Sequence, residues 1–152
     1  MRIRDSFQSP KKERSEMRNR NYVEKNCKKI VHFKHKMNDL EKLLLLKLDN
    51  LNVKYFRNGA LNHIPGNISL SFENFDGEVM LHRLDLTGIC ISTGSACDSV
   101  NTRISHVIKA MGLPDEYAKG TVRISLGRDN TQKEVRIIAE TITDVLKKQI
   151  MR

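Results

Sequence analysis

A cysteine at position 97 sits in a run of small residues, Thr93-Gly94-Ser95-Ala96-Cys97-Asp98-Ser99. Glycine, serine and alanine pack poorly and bend readily, so the run reads as a mobile loop that presents its thiol to solvent. Such a thiol is a candidate nucleophile once ionised, because the thiolate is the reactive form and free cysteine has a pKa of about 8.5. Asp98 beside it works against ionisation, since a neighbouring carboxylate disfavours a second negative charge. The other two cysteines read differently. Cys90 lies between Ile89 and Ile91, and Cys27 falls on an apolar helical stripe, so both are expected to be small core hydrophobes. No pair has CxxC spacing, and 3 cysteines cannot close a complete disulfide framework. A reducing compartment is expected.

The elements that must hold this loop follow from hydrophobic period. Between Pro10 and Asn50 there is no glycine and no further proline. Val23, Cys27, Ile30, Lys34, Met37, Leu40, Leu44, Leu48 and Leu51 recur every three or four residues, with Lys34 the polar interruption. That period predicts a long helix over residues 18–51, with Asn38-Asp39 the point where the pattern allows a break. Leu43 to Leu46 widen the apolar face and are expected to be buried. Residues 1–17 are expected to be a frayed basic segment, and residues 52–152 a C-terminal domain.

In that domain Val53–Phe56 reads as a short strand, and Ile68, Leu70 and Phe72 alternate with Ser69 and Ser71 as a half-buried strand. Asp76 is placed to cap a short helix that Gly88 closes. Ile89–Ser92 is an apolar strand leading into the cysteine loop. A helix carrying Ile104, Val107, Ile108 and Met111 follows, and Pro114 suits the first turn of another. Thr121–Leu126 alternates as a strand. Thr131 and Glu134 have capping-box spacing and open a last helix. The expected fold class is α+β: a small, mostly antiparallel sheet of three or four strands covered by helices and preceded by the long helix.

Composition bounds the function classes. The 152 residues carry 39% hydrophobic and 30% charged side chains and a net charge of +9, which suits one domain and too small a chain for a two-domain cofactor enzyme. No apolar run approaches the roughly 20 residues of a membrane helix. Met1 to Arg20 lacks the apolar stretch of a secretory signal, and Asp5, Glu13 and Glu16 argue against organelle targeting. A cytoplasmic protein is expected. Residues 1–50 hold 14 basic against 7 acidic side chains, so most of the excess positive charge lies there. Nucleic acid is one reading of such a charge. Few stacking residues accompany it, and a solvated helix face or a surface for a protein neighbour is the better expectation.

Beyond single residues, several ordered blocks carry a resemblance. Ser92-Thr93-Gly94-Ser95-Ala96-Cys97 is followed by Ser105-His106-Val107-Ile108-Lys109-Ala110-Met111-Gly112. Upstream stand Ile64-Pro65-Gly66-Asn67-Ile68-Ser69-Leu70-Ser71-Phe72 and Asp76-Gly77-Glu78. Downstream runs Gly120-Thr121-Val122-Arg123-Ile124-Ser125-Leu126-Gly127-Arg128. Over about residues 50–150 these blocks closely resemble the small C-terminal domain of cysteine desulfurases. Those are pyridoxal-phosphate (PLP) enzymes of fold type I, in the class V aminotransferase superfamily.

The resemblance implies specific roles. Cys97 matches the cysteine that takes sulfur from a substrate cysteine, leaving alanine and a persulfide that is passed on, commonly to an iron–sulfur scaffold protein. Asp98 departs from the small neutral residue often found beside it. Arg123 matches the arginine that grips the substrate carboxylate, a task for which its planar fork suits it. Arg128 of the same block is expected to pin a turn, and Ser95 to hold the loop or approach the cofactor. His106 is expected on a helix surface.

No metal ligand set is implied beyond transient iron–sulfur contact through Cys97. The family's PLP site lies mainly in a larger domain whose Schiff-base lysine follows a Ser-x-His context. Here the only His-Lys pair, His35-Lys36, lacks the serine and the glycines and sits on the long helix. The expectation is therefore a truncated or split cysteine desulfurase, inactive as an isolated chain. Its partners would be a PLP-binding domain on a separate chain, a sulfur acceptor and, as in relatives, a second copy. A sulfur-relay or interaction module and an inactive gene remnant are the alternatives, with nucleic-acid binding behind them.

Overall fold

The uninterrupted helix-forming composition after Pro10 yields α1 (Pro10–Asn50), 41 residues in one run. It ends where Asn52 takes a left-handed φ of 56°. Val53 N–H then closes back on the Leu48 carbonyl at 3.0 Å, a left-handed helix stop that satisfies the last carbonyls. The computed structural model describes residues 10–60, 62–93 and 104–150, with side chains described for 22–60, 62–93 and 104–148.

Among the described residues four strands and four further helices follow: β1 (Tyr55–Asn58), β2 (Asn67–Phe72), α2 (Gly77–Asp85), β3 (Ser92–Thr93), α3 (His106–Ala110), α4 (Asp115–Ala118), β4 (Thr121–Ser125) and α5 (Gln132–Ile150). The strands form one antiparallel sheet in the order β1-β2-β4-β3. The fold is α+β with a long N-terminal helix, as expected.

Because side chains alternate along a strand, register decides which residues share a face. Ile68 pairs with Ile124 and Leu70 with Val122, so these project together, with Phe72 and Tyr55 beside them. Against that face pack Met37, Leu40, Leu44 and Leu48 of α1, Met80 and Leu84 of α2, and Val135, Ala139, Ile142 and Val145 of α5. The helix ends are secured locally. The Asp76 carboxylate accepts from Glu78 N–H at 2.8 Å and Val79 N–H at 3.4 Å. At α5 the reciprocal capping box forms, with Thr131 N–H donating to Glu134 Oε2 at 2.7 Å and Glu134 N–H to Thr131 Oγ1 at 3.3 Å. Those bonds, the Thr131 amide first, hold the Glu134 carboxyl below its ordinary pKa. Gly120 is required by contact: a Cβ there would lie 2.2 Å from the Phe72 carbonyl oxygen.

The chain divides into two compact units, Met1–His35 and Lys36–Arg152. In the first, Tyr22, Val23, Ile30 and Val31 are exposed, and so is Cys27. The second contains the sheet and the core. No described helix is long and apolar enough to cross a membrane.

Several expectations need correction. The long helix starts at Pro10 rather than residue 18 and runs through Asn38-Asp39 without a break, because neither residue removes a backbone donor. Residues 1–9 of the expected frayed segment lie outside the described residues. Cys27 and Cys90 are exposed, not core residues. Cys90 is turned out because Ile89 and Ile91 take the core side of an extended segment, and its only strand pairs are at Ser92 and Thr93. Of Leu43–Leu46 only Leu44 is fully buried, and Leu46 is 55% exposed. The first strand is shifted to Tyr55–Asn58. Ser71 is buried as well as its apolar neighbours, since Asn58 and Thr121 supply polar partners.

Candidate functional site

The sheet face turned away from the core carries exposed Phe56 on β1 and, beside it, a polar row that runs across all four strands. Asn58 pairs with Ser69, Ser69 with Arg123, and Arg123 with Ser92, so one lateral row crosses β1, β2, β4 and β3. Directly opposed residues have Cβ atoms about 4.5–5.5 Å apart, which puts the row's polar groups within mutual reach. Arg123 is exposed near its centre. Its Nε donates to Ser92 Oγ at 3.1 Å, and its guanidinium makes no other hydrogen bond to a described residue. The Nη groups therefore keep a planar fork suited to two carboxylate oxygens.

On the β1 side Asn58 Nδ2 donates to Ser69 Oγ at 3.1 Å and to Ser71 Oγ at 2.8 Å. Ser71 Oγ shares a 2.6 Å hydrogen bond with Thr121 Oγ1, which also donates to the Ala118 carbonyl at 2.9 Å. Asn58 Oδ1 is buried with no partner among the described residues. One end of the row is thus a closed polar network, and the Arg123 end is open. On the opposite face Thr93 Oγ1 donates to Glu78 Oε1 of α2 at 2.7 Å. The strand that leads toward Cys97 is consequently tied on both faces, through Ser92 to β4 and through Thr93 to α2.

Cys97 and Ser95 lie outside the described residues. His106 is exposed as the first residue of α3, where the sequence placed it. Arg128 does not pin its turn with its side chain, which is 81% exposed and 3.6 Å from Asp129. The Asn130 amide oxygen holds the turn instead by accepting from Gly127 N–H at 2.6 Å.

A second constellation was not read from the sequence. Glu41 of α1 is 4% exposed and accepts from Arg57 Nη2 of β1, and from Gly66 N–H at 3.2 Å. It also pairs with His63 Nε2 at 2.9 Å. The available signal was a carboxylate four residues after Met37 on the apolar stripe. These bonds lock α1 to the sheet edge, a structural role. Among the residues whose side chains are described, no metal-ligand cluster forms.

PLP does not fit the described residues. A Schiff base needs an amine shielded from water and a carboxylate facing the ring nitrogen. No described lysine is buried, and Lys36 Nζ is spent on the Arg128 carbonyl. A cavity of about 360 Å3 lies where the α1–β1 link, the β2–α2 link and α5 meet. Its Lys54 is 78% exposed and paired with Glu73 at 3.4 Å.

Comparison with known proteins accords with this layout. The family profile described as Aminotransferase class-V matches residues 21–138. A cysteine desulfurase IscS of Clostridium botulinum is 41% identical over 86 residues, 57% of this chain and 22% of that protein. A cysteine desulfurase of Klebsiella pneumoniae is 35% identical over 117 residues, 77% of this chain and 29% of that protein. Among solved structures, a NifS-like protein superposes with a TM-score of 0.66 at 30% identity, over 80% of this chain and 30% of that one. The chain thus spans less than a third of the length of each of these relatives.

Proposed function

Because this chain belongs to the class-V aminotransferase family, we propose that it is the sulfur-accepting part of a cysteine desulfurase, working with a PLP-binding domain outside these 152 residues. PLP, held there, would supply the electron sink for breaking the substrate's carbon–sulfur bond. The residues of this chain bind and accept. Arg123 grips the substrate carboxylate. Cys97, as thiolate, takes the sulfur atom: a sulfur–sulfur bond forms, the Cβ–S bond of cysteine breaks, and hydrogen passes to Cβ to leave alanine. Overall, cysteine and one protein thiol give alanine and one protein persulfide. The persulfide then passes to an acceptor such as an iron–sulfur scaffold protein, in the cytoplasm, from an enzyme that dimerises as its relatives do.

The observation that carries this reading is the exposed Arg123 fork, bonded through Nε to Ser92 in the strand that leads into the Cys97 segment. Given L-cysteine and PLP alone, the full chain is expected to release no alanine and to develop no PLP-dependent visible absorption. Given a separate desulfurase already carrying persulfide, it is expected to acquire persulfide, detected by thiol labelling and mass spectrometry and lost in Cys97→Ser. Alanine release by the chain with PLP would overturn the placement of the cofactor site. Persulfide retained in Cys97→Ser would overturn the assignment of Cys97.

A further inference from the structure

We infer that the polar row on the open sheet face is a built carboxylate site, in which Ser92 positions Arg123 and Ser69 supplies a further donor; this rests on the carboxylate role of Arg123 proposed above. An exposed arginine on a strand samples many rotamers, and ordering a long side chain costs up to about 2 kcal/mol. Ser92 Oγ removes part of that freedom by accepting from Nε at 3.1 Å, the one guanidinium N–H that an end-on fork through the two Nη groups does not use. The Nη groups are left aligned for two oxygens.

Ser69 flanks Arg123 on the other side as its direct cross-strand partner. Its oxygen already accepts from Asn58 Nδ2 at 3.1 Å. A serine hydroxyl carries one donor hydrogen and an arginine offers no acceptor, so the O–H of Ser69 and the Nη groups of its cross-strand partner Arg123 have donors to give to one ligand lying over the pair. Two converging donors of this kind call for an anionic oxygen ligand, and a planar carboxylate matches the fork. Carboxylate recognition also becomes mechanically linked to sulfur acceptance. Ser92 belongs to the strand that enters the Cys97 segment, and Thr93 next to it is fastened to Glu78 on the other face. The clamp and the stem of the thiol-bearing segment share one hydrogen bond.

The test follows the Arg123 Nε–H proton by NMR in the full, arginine-labelled chain at mildly acidic pH, with L-alanine as the carboxylate probe. In Ser92→Ala, exchange of that proton is expected to quicken about fivefold and alanine affinity to fall by a similar factor. Ser92→Thr keeps the hydroxyl and is expected to restore both. Ser69→Ala is expected to weaken alanine about fivefold while leaving exchange at Arg123 Nε unchanged. Unaltered exchange in Ser92→Ala overturns the positioning role, and unaltered affinity in Ser69→Ala overturns the second donor. If alanine leaves Arg123 unshifted in the parent chain while its Nε–H stays protected, the carboxylate reading of Arg123 fails and takes Ser69 with it. The hold of Ser92 on Arg123 survives that outcome.

Discussion

The two faces of the same four strands have opposite fates. On one, Ile68, Leu70, Phe72, Val122 and Ile124 are buried beneath α1, α2 and α5. On the other, Asn58, Ser69, Arg123 and Ser92 form a polar row whose centre is open to solvent. The backbone hydrogen bonds are common to both, so the division rests on side chains alone. Apolar burial stabilises at about 25 cal/mol per Å2, and the covered face therefore carries the fold. The open face contributes little to stability, which leaves its residues available for recognition. Only the network that closes its Asn58 end, through Ser71 and Thr121 of the neighbouring pair, belongs energetically with the core.

Matched substitutions break or sharpen this division. The largest effect is expected at Phe72, fully buried: Phe72→Ala should destabilise the chain by about 4 kcal/mol, through lost burial and a residual cavity. Its counterpart Ser69→Ala, one face away, should stay within about 0.5 kcal/mol. Chemical denaturation of both variants measures the contrast, and equal losses would show that the faces are not energetically distinct.

Next in size is Glu41, the buried carboxylate beside β1. Glu41→Gln removes the charge that Arg57 and His63 share and should cost about 2 kcal/mol by the same measurement. A cost near zero would show that shape alone holds α1 at this edge.

The smallest effect is a pH dependence at Tyr55. Burial first, and then its 2.7 Å hydrogen bond to Asp49, push its hydroxyl from the ordinary 10.0 up to about 12. A raised folded-state value means that the protonated phenol is favoured by folding. Its stabilisation is therefore complete below about pH 10 and is lost as pH rises toward 12. The stability difference between the parent chain and Tyr55→Phe should stay constant below about pH 10 and change only in that alkaline window.

Most of the covered face was legible in the sequence. Ile68, Leu70, Phe72, Val122, Ile124 and the α5 stripe showed the period of their elements, and the caps at Asp76 and Thr131 were visible as residue types at fixed offsets. Legibility failed where local pattern and neighbourhood part company. Val23, Cys27 and Ile30 repeat with the same period as Met37, Leu40 and Leu44, yet the former are exposed and the latter buried. Period reports that a helix has a stripe, and says nothing of whether a layer covers it. Cys90 failed for a related reason, since two flanking isoleucines mark an apolar segment without stating which side each residue takes.

The candidate site was legible only as pointers. Small residues pointed to Cys97, which lies outside the described residues, and resemblance pointed to Arg123. Ser92, Ser69 and Asn58 were not marked out as its neighbours, because they lie 31, 54 and 65 positions away from Arg123 in the chain. Sequence by itself determined the element types, the caps, the core stripe of α5 and the family. Tertiary structure alone decided which face of the sheet is covered, that Glu41 is buried among Arg57, His63 and Gly66, and that Ser92 holds Arg123. The physical reason is the same in each case. Period and capping are local properties of a few residues, whereas cross-strand register and burial arise only when distant segments pack together.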